Sequence, residues 1–166
     1  MRWLELMTTA WRGEPVVGSP EPVVPELPSG TVPLLIGGTG DAAIRRTIRY
    51  GTGWTGGGDT PEQLAPVISR VREAWSEAGR EGAPRILALA YFSLGDEVED
   101  FSYQYLRHYY GNFGDFAEMI ASAALRSPES IRGAMSAFED VGVDELILDP
   151  TVGELSQIDR LADVVF

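Results

Sequence analysis

The sequence predicts an α/β protein with parallel strands, and two observations carry that prediction. Short apolar runs of strand length alternate with amphipathic helical stretches four times over. Glycine, proline and small hydroxyl residues mark each change of period, in the order that helix caps and tight turns require. A chain that repeats strand then helix sets successive strands side by side in parallel through right-handed crossovers, with helices covering the sheet. No internal sequence repeat accompanies the repeated architecture.

Residues Leu4 to Trp11 read as the end of a short helix closed by Gly13. Pro15, Pro20, Pro22, Pro25 and Pro28 follow, excluding helix and central strand and leaving an extended surface connection. Pro33-Leu34-Leu35-Ile36 is a continuous apolar run ending at Gly37-Gly38, which predicts a strand buried on both faces. The next helix is expected from about Asp41 to Tyr50, with Ile44 and Ile48 on one face and Gly51 at its end. Gly53-Trp54-Thr55 is a brief second strand running into Gly56-Gly57-Gly58.

Thr60 then offers an N-cap, Pro61 the first helical position and Gln63 the second half of a capping box. Leu64, Val67, Ile68, Val71 and Trp75 recur three or four apart until Gly79. Arg85 to Phe92 is the clearest strand, ending at Ser93-Leu94-Gly95. A helical excursion from Asp96 to Arg126 carries Phe101, Tyr103, Tyr105, Tyr109, Tyr110, Phe113 and Phe116. Ser127-Pro128 restarts a helix with Ile131, Ala134, Met135 and Phe138 on its buried stripe and Gly142 at its end. Glu145 to Pro150 forms a fourth strand, and Leu155, Ile158, Leu161, Ala162 and Val165 mark the closing helix.

Composition bounds the function. The chain has 166 residues, 44% of them apolar and 23% charged, enough for one packed domain. Lys plus Arg total 13 against 25 acids, a formal net charge of −12, so nucleic acid and anionic membrane are excluded as expected partners. No apolar run approaches the roughly 20 residues that span a bilayer, and no signal peptide opens the chain, so a cytoplasmic location is expected. With no cysteine there is no disulfide and no thiolate chemistry. His108 is the single histidine, which argues against a metal site, and no Gly-x-Ser-x-Gly turn supplies a hydrolase nucleophile.

In parallel α/β folds the loops leaving the carboxyl ends of the strands gather on one edge and form the ligand site. Here those loops are residues 37–41, 55–59, 93–97 and 149–153. In Gly37-Gly38-Thr39-Gly40-Asp41, backbone amides free of side chains can approach a phosphate, the following helix adds its positive end, and Thr39 offers a hydroxyl donor. A tight turn in which glycine only satisfies backbone angles is the bland alternative. The second glycine cluster at residues 56–58, after the neighbouring strand, favours the phosphate reading.

Gly38-Thr39-Gly40-Asp41-Ala42-Ala43 also fits Gly-x-Gly-x-x-Ala, with Asp59 near the place of a ribose-binding acid, so an NAD(P)-binding Rossmann dehydrogenase is a rival. Gly53-Trp54-Thr55 is a poor second strand for that fold. A Walker loop is excluded because the chain has no lysine. The aromatic excursion paves either a ligand pocket or a subunit contact, but rings at helical spacing usually pack in a core, which is the reading taken here. His108 reads as a surface or capping residue, and Asp149 as a cap of the last helix or a site residue.

Pro33-Leu34-Leu35-Ile36-Gly37-Gly38-Thr39-Gly40, with Ala42-Ala43-Ile44-Arg45-Arg46 and Tyr50-Gly51-Thr52-Gly53-Trp54, resembles the luciferase-like monooxygenase family. Phe138 to Pro150 with Leu161-Ala162-Asp163 is similar to that family's last strand and helix. Trp3 to Trp11 with Arg12-Gly13-Glu14-Pro15-Val16 is similar to the connection before its later strands. The resemblance implies the C-terminal half of a TIM (β/α)8 barrel, residues 1–166 forming a single partial-barrel domain. Residues 1–32 would be the helix end and connection, and residues 33–166 four βα units with an insertion at about 96–126.

The resemblance further implies a flavin- or F420-dependent oxidoreductase or monooxygenase acting on a small organic molecule, with FMN or coenzyme F420 as cofactor. It assigns cofactor binding to Gly37, Gly38, Thr39, Gly40, Trp54, Thr55, Gly56 and Gly57, and no catalytic or metal residue. A full barrel has eight strands in about 250 residues, so the N-terminal half is expected to be missing. Unpaired edges and an open face then imply a homo-oligomer or a complementary half-barrel as partner, or a non-catalytic interaction fragment.

Overall fold

The computed structural model describes residues 2–18, 21–22, 27–95 and 98–166. Part of the predicted proline-rich connection, including Pro20 and Pro25, lies outside the described residues, as do Asp96 and Glu97 at the start of the excursion. Four strands form one sheet: β1 (Leu35–Gly37), β2 (Gly53–Thr55), β3 (Arg85–Phe92) and β4 (Glu145–Pro150). All neighbours are parallel and the order is β1-β2-β3-β4. Helix α1 (Arg2–Trp11) precedes the sheet. Helices α2 (Asp41–Tyr50), α3 (Pro61–Glu77), α6 (Pro128–Asp140) and α7 (Ser156–Val165) follow successive strands. Between β3 and α6 come α4 (Val98–Tyr109), a 3-10 turn (Gly111–Phe113) and α5 (Asp115–Ala123).

The strand order corrects the dinucleotide-binding alternative. A Rossmann sheet reverses direction beside its first strand, whereas this chain steps the same way at every crossover. Sequential stepping also puts α2, α3 and α6 on one face. Trp54, Ile86 and Ala88 pack there with Ile44, Leu64, Val67, Ile68, Val71 and Phe138. Phe92 and Leu148 join Ile131, Leu161 and Val164 in an adjoining cluster. Strand alternation sends Thr55, Leu89, Tyr91, Ile147 and Asp149 to the opposite face, where Ile147 is 42% exposed.

That one-sided cover corrects the expectation of a first strand buried on both faces. β1 begins at Leu35, two residues later than expected, and is only partly buried, because it is an edge strand with helices on one side. Gly51 ends α2 as expected but with ordinary backbone (φ −84°). It is glycine for space, since a Cβ would fall 2.8 Å from the Thr47 carbonyl oxygen. The cap of α3 forms as the spacing predicts, the Thr60 amide donating to Gln63 Oε1 at 2.9 Å. In α6 the same exchange runs between two serines, the Ser130 amide donating to Ser127 Oγ at 3.1 Å and the Ser127 amide to Ser130 Oγ at 3.0 Å.

The excursion also corrects the core reading of its aromatic rings. Phe101, Tyr105, Tyr109, Phe113 and Phe116 are exposed, while Tyr103 and Tyr110 are partly buried. The α4–α5 hairpin closes on Leu106, Ile120, Ala121 and Ala124, small enough to leave most rings outside. α7 is similar: Leu161 packs inward, but Leu155 and Ile158 are exposed.

Two glycines separate close approach from mere flexibility. A Cβ on Gly53 would lie 1.9 Å from the Arg85 carbonyl oxygen, inside the β2–β3 ladder, whereas one on Gly133 of α6 meets nothing within 4 Å. Gly53→Ala is expected to destabilise the fold by at least about 2 kcal/mol. Gly133→Ala is expected to stabilise it by about 0.5–1 kcal/mol. Urea denaturation followed by circular dichroism checks both.

Candidate functional site

β1 and β2 end level with each other, Gly37 pairing with Thr55, so the glycine loops that follow them lie side by side at one sheet edge. Gly38 turns the first loop with φ +104°, a conformation that favours glycine, and a Cβ there would press on Ala43 at 3.1 Å. Gly40 is the N-cap of α2 and provides no side-chain acceptor. The amides of Asp41 and Ala42 in the first turn therefore lack an intrahelical partner and face the loop, where the helix dipole is positive. Gly40 has open space where a Cβ would be, and Gly57 nearly so. Thr39 is exposed beside them.

The second wall is held differently. The Gly56 amide donates to the Leu87 carbonyl at 2.8 Å, and the Thr55 hydroxyl donates to the Gly56 carbonyl at 3.2 Å. Gly56 is packed from behind, with Leu64 and Trp54 atoms 3.0–3.1 Å from a Cβ position. α3 already has its own cap, so of the two helices that follow the glycine loops only α2 begins bare.

Trp54 enters from the core side. Its side chain is 1% exposed, and its indole N–H donates to the Gly38 carbonyl at 2.9 Å, tying one glycine loop to the strand that carries the other. The predicted site residues 37–40 and 55–57 thus come together at the surface, with Trp54 beneath them. Sequence reasoning passed over Arg70. From α3 it donates to the Thr39 carbonyl at 3.1 Å and pairs with the Asp41 carboxylate at 2.5 Å, neutralising the acid nearest the bare helix start. No local pattern links positions 41 and 70; only the packing of α2 against α3 does.

Along the same edge, at the tip of β3, the Tyr91 and Tyr110 hydroxyls share a hydrogen bond of 2.7 Å. Burial, then the bond to Tyr110, hold the Tyr91 phenol protonated well above its usual range, and the Asp149 carboxylate adds to the effect. Tyr91 is therefore a neutral hydrogen-bonding group and not a base. Tyr110 meets Tyr109, Phe113 and Phe116 edge to face at centroid distances of 4.9–6.2 Å, which hangs an aromatic shelf beside the strand tips. A largely apolar cleft of about 270 Å³ runs behind it, lined by Gly58, Asp59, Tyr91, Ile120, Ala134 and Phe138 among others. His108 is exposed in the last turn of α4 and takes no part. No cluster of metal-ligating side chains occurs among the described residues.

The sequence model of the luciferase-like monooxygenases matches residues 2–165. An uncharacterised protein of Mycobacterium tuberculosis is 43% identical over 53 residues, 32% of this chain and 18% of that protein. Among solved structures, an F420-dependent secondary alcohol dehydrogenase in complex with an F420–acetone adduct superposes with a TM-score of 0.74 at 17% identity. The match covers 99% of this chain and 59% of that one. DmoA from Hyphomicrobium sulfonivorans gives 0.67 at 15% identity, covering 97% and 52%. A riboflavin lyase solved with modified FMN and riboflavin gives 0.64 at 17% identity, covering 89% and 45%. The fold is accordingly that of the C-terminal half of a TIM barrel, and the chain spans about half the length of the solved structures it matches.

Removing the indole donor tests how far Trp54 sets the loop. Trp54→Phe keeps an aromatic ring but leaves the Gly38 carbonyl without that partner. An expected stability loss of about 1–2 kcal/mol, with faster hydrogen exchange in residues 38–42, is checked by denaturation and exchange mass spectrometry.

Proposed function

The chain belongs to the luciferase-like monooxygenase family, and from that premise we propose that it is part of a flavin- or F420-dependent oxidoreductase acting on a small organic substrate. The observation that carries the reading is the bare start of α2. Its N-cap is a glycine with no side-chain acceptor, its first-turn acid is neutralised by Arg70, and a second glycine loop stands beside it. A cofactor phosphate fits there because its oxygens supply the acceptors that the helix start lacks.

On this reading Gly37, Gly38 and Gly40 let the backbone approach the phosphate, and Thr39 donates its hydroxyl. Gly56 and Gly57 form the facing wall, Thr55 holds that wall through the Gly56 carbonyl, and Trp54 positions the first loop from below. A bound FMN or F420 supplies the redox chemistry. The chain's own groups orient and shield: Tyr91 stays protonated, the Tyr91 and Tyr110 hydroxyls offer hydrogen bonds at the strand tips, and the aromatic shelf keeps water from one side of the substrate. Both cofactors are retained, since the similar solved structures include one with F420 and one with modified FMN. A cytoplasmic location belongs to the same proposal.

Separate titrations with FMN, F420 and NAD, read by cofactor fluorescence, test the assignment. FMN or F420 is expected to bind and NAD not. Gly38→Val should abolish binding, and Thr39→Ala, an exposed change that leaves the turn intact, should weaken it by about 1 kcal/mol, roughly fivefold. Unchanged affinity in Thr39→Ala, or no binding of either cofactor, overturns the reading.

A specific observation favours a second function. On the sheet face that carries Ile147 the α4–α5 hairpin packs at Tyr91, but Ile147 itself stays 42% exposed among the described residues, so a second copy or a complementary half-barrel is proposed to cover it, whether or not the chain is catalytic. Light scattering at micromolar concentration is expected to give species heavier than the 18.1 kDa monomer; a monodisperse monomer rejects this.

A further inference from the structure

A second concave surface lies in the helical layer, away from the glycine loops, and its chemistry is different. It opens between α6 and α7 against the loop after β3, encloses about 430 Å³, and is lined by Leu94, Gly95, Arg126, Arg132, Arg160 and Asp163 among others. It shares no residue with the cofactor cradle. All 13 basic residues of the chain are arginines, set against 25 acids, so three in one cleft is a local reversal of the overall charge.

Like Arg2, Arg45, Arg46, Arg72 and Arg80, these three arginines form no ion pair among the described residues. The ion pairs among the described residues engage Arg12, Arg49, Arg70, Arg85 and Arg107, and none of Arg126, Arg132 or Arg160. Arg126 is partly buried. It donates to the Ala121 carbonyl at 2.7 Å, the Ala124 carbonyl at 3.1 Å and Ser102 Oγ at 3.1 Å, and it lies 4.0 Å over the Tyr103 ring. Every one of these partners is neutral, and its Nε is buried without a hydrogen bond. A partly desolvated cation with no counter-ion is costly unless an anion is brought to it.

The wall opposite is fixed. Gln157, 1% exposed, accepts from the Leu94 amide at 2.8 Å and donates to the Leu94 carbonyl at 2.9 Å, clamping the loop onto α7. Gly95 follows with φ +119°, and the Arg160 guanidinium lies 2.9–3.3 Å from the place a Cβ would take. Glycine here leaves room for the charged group at the mouth. Asp163, one turn beyond Arg160 on α7, is the single acid in the lining among the described residues and forms no ion pair with it.

We propose that this cleft is an oxyanion site that takes a phosphoryl group, bound by Arg132 and Arg160 at the rim with Arg126 supplying charge from behind. Planar guanidinium forks suit phosphoryl oxygens, and both walls are described residues of this chain, so the site does not depend on what covers the exposed part of the sheet. The proposal stands apart from the cofactor assignment.

Calorimetric titration of the full chain at low ionic strength with inorganic phosphate, and separately with a sugar phosphate, tests it. Saturable binding is expected, weakened at least tenfold in Arg132→Gln/Arg160→Gln and unchanged in Thr39→Ala. Both arginines are exposed, and an unaltered circular dichroism melt certifies the variant. Arg132→Lys/Arg160→Lys is expected to retain a substantial part of the affinity. Tighter binding of the sugar phosphate marks a phosphorylated metabolite as the ligand, equal affinity marks the free ion, and either supports the site. No saturable binding, or binding lost in Thr39→Ala and kept in the double glutamine variant, overturns it.

Discussion

Sequential parallel stepping governs this molecule. Each new strand is laid on the same side of the last, so right-handed crossovers, the rule for parallel strands, bring α2, α3 and α6 onto one face of the sheet. Three consequences follow from that single constraint. The carboxyl ends of all four strands open on one edge, which brings residues 37–40 beside residues 55–57. The helix-facing side chains, Trp54, Ile86 and Ala88 among them, form the core. The other face meets the α4–α5 hairpin at Tyr91 but has nothing among the described residues over the middle of β4, where Ile147 is exposed.

Within that frame the first glycine loop is held by two side chains with different physical roles. The indole N–H of Trp54 reaches the Gly38 carbonyl from a dry core, where a hydrogen bond is worth about 1 kcal/mol and an orphaned carbonyl costs more. Arg70 reaches Thr39 and Asp41 from the solvent side, and an exposed ion pair of this kind contributes less than about 1 kcal/mol. Trp54 therefore sets the position of the loop, and Arg70 sets its charge. Without the arginine, an aspartate at the first position of α2 would oppose any anion brought to the helix start, although it favours the helix itself.

Much of this was legible in the sequence, because the signals were local. The bounds of α2 and β3 follow from periodicity and flanking glycines, and the start of α3 from Thr60, Pro61 and Gln63. What was not legible depends on where the layers stop. The run 33–36 reads as buried on both faces because apolarity alone does not reveal that one face lacks cover. The rings of residues 101–116 read as core for the same reason: helical spacing shows that they share a stripe, not that another element packs on it. Arg70 and the Tyr91–Tyr110 bond join residues far apart in the chain, and no spacing rule reaches across those separations.

The two places that could hold an anion on a chain of net charge −12 are built on opposite principles. At the glycine loops the positive potential comes from backbone amides and a helix end, with the Arg70 guanidinium spent on Asp41. In the α6–α7 cleft it comes from full side-chain charges that form no ion pair among the described residues. Backbone dipoles act over one turn and demand close contact, so the loops select a ligand by shape as much as by charge. Guanidinium groups at a solvent-open rim act over a Debye length of about 8 Å at physiological salt and weaken as salt rises. A ligand at the loops is therefore recognised with little dependence on ionic strength, whereas one in the cleft is recognised chiefly through its charge.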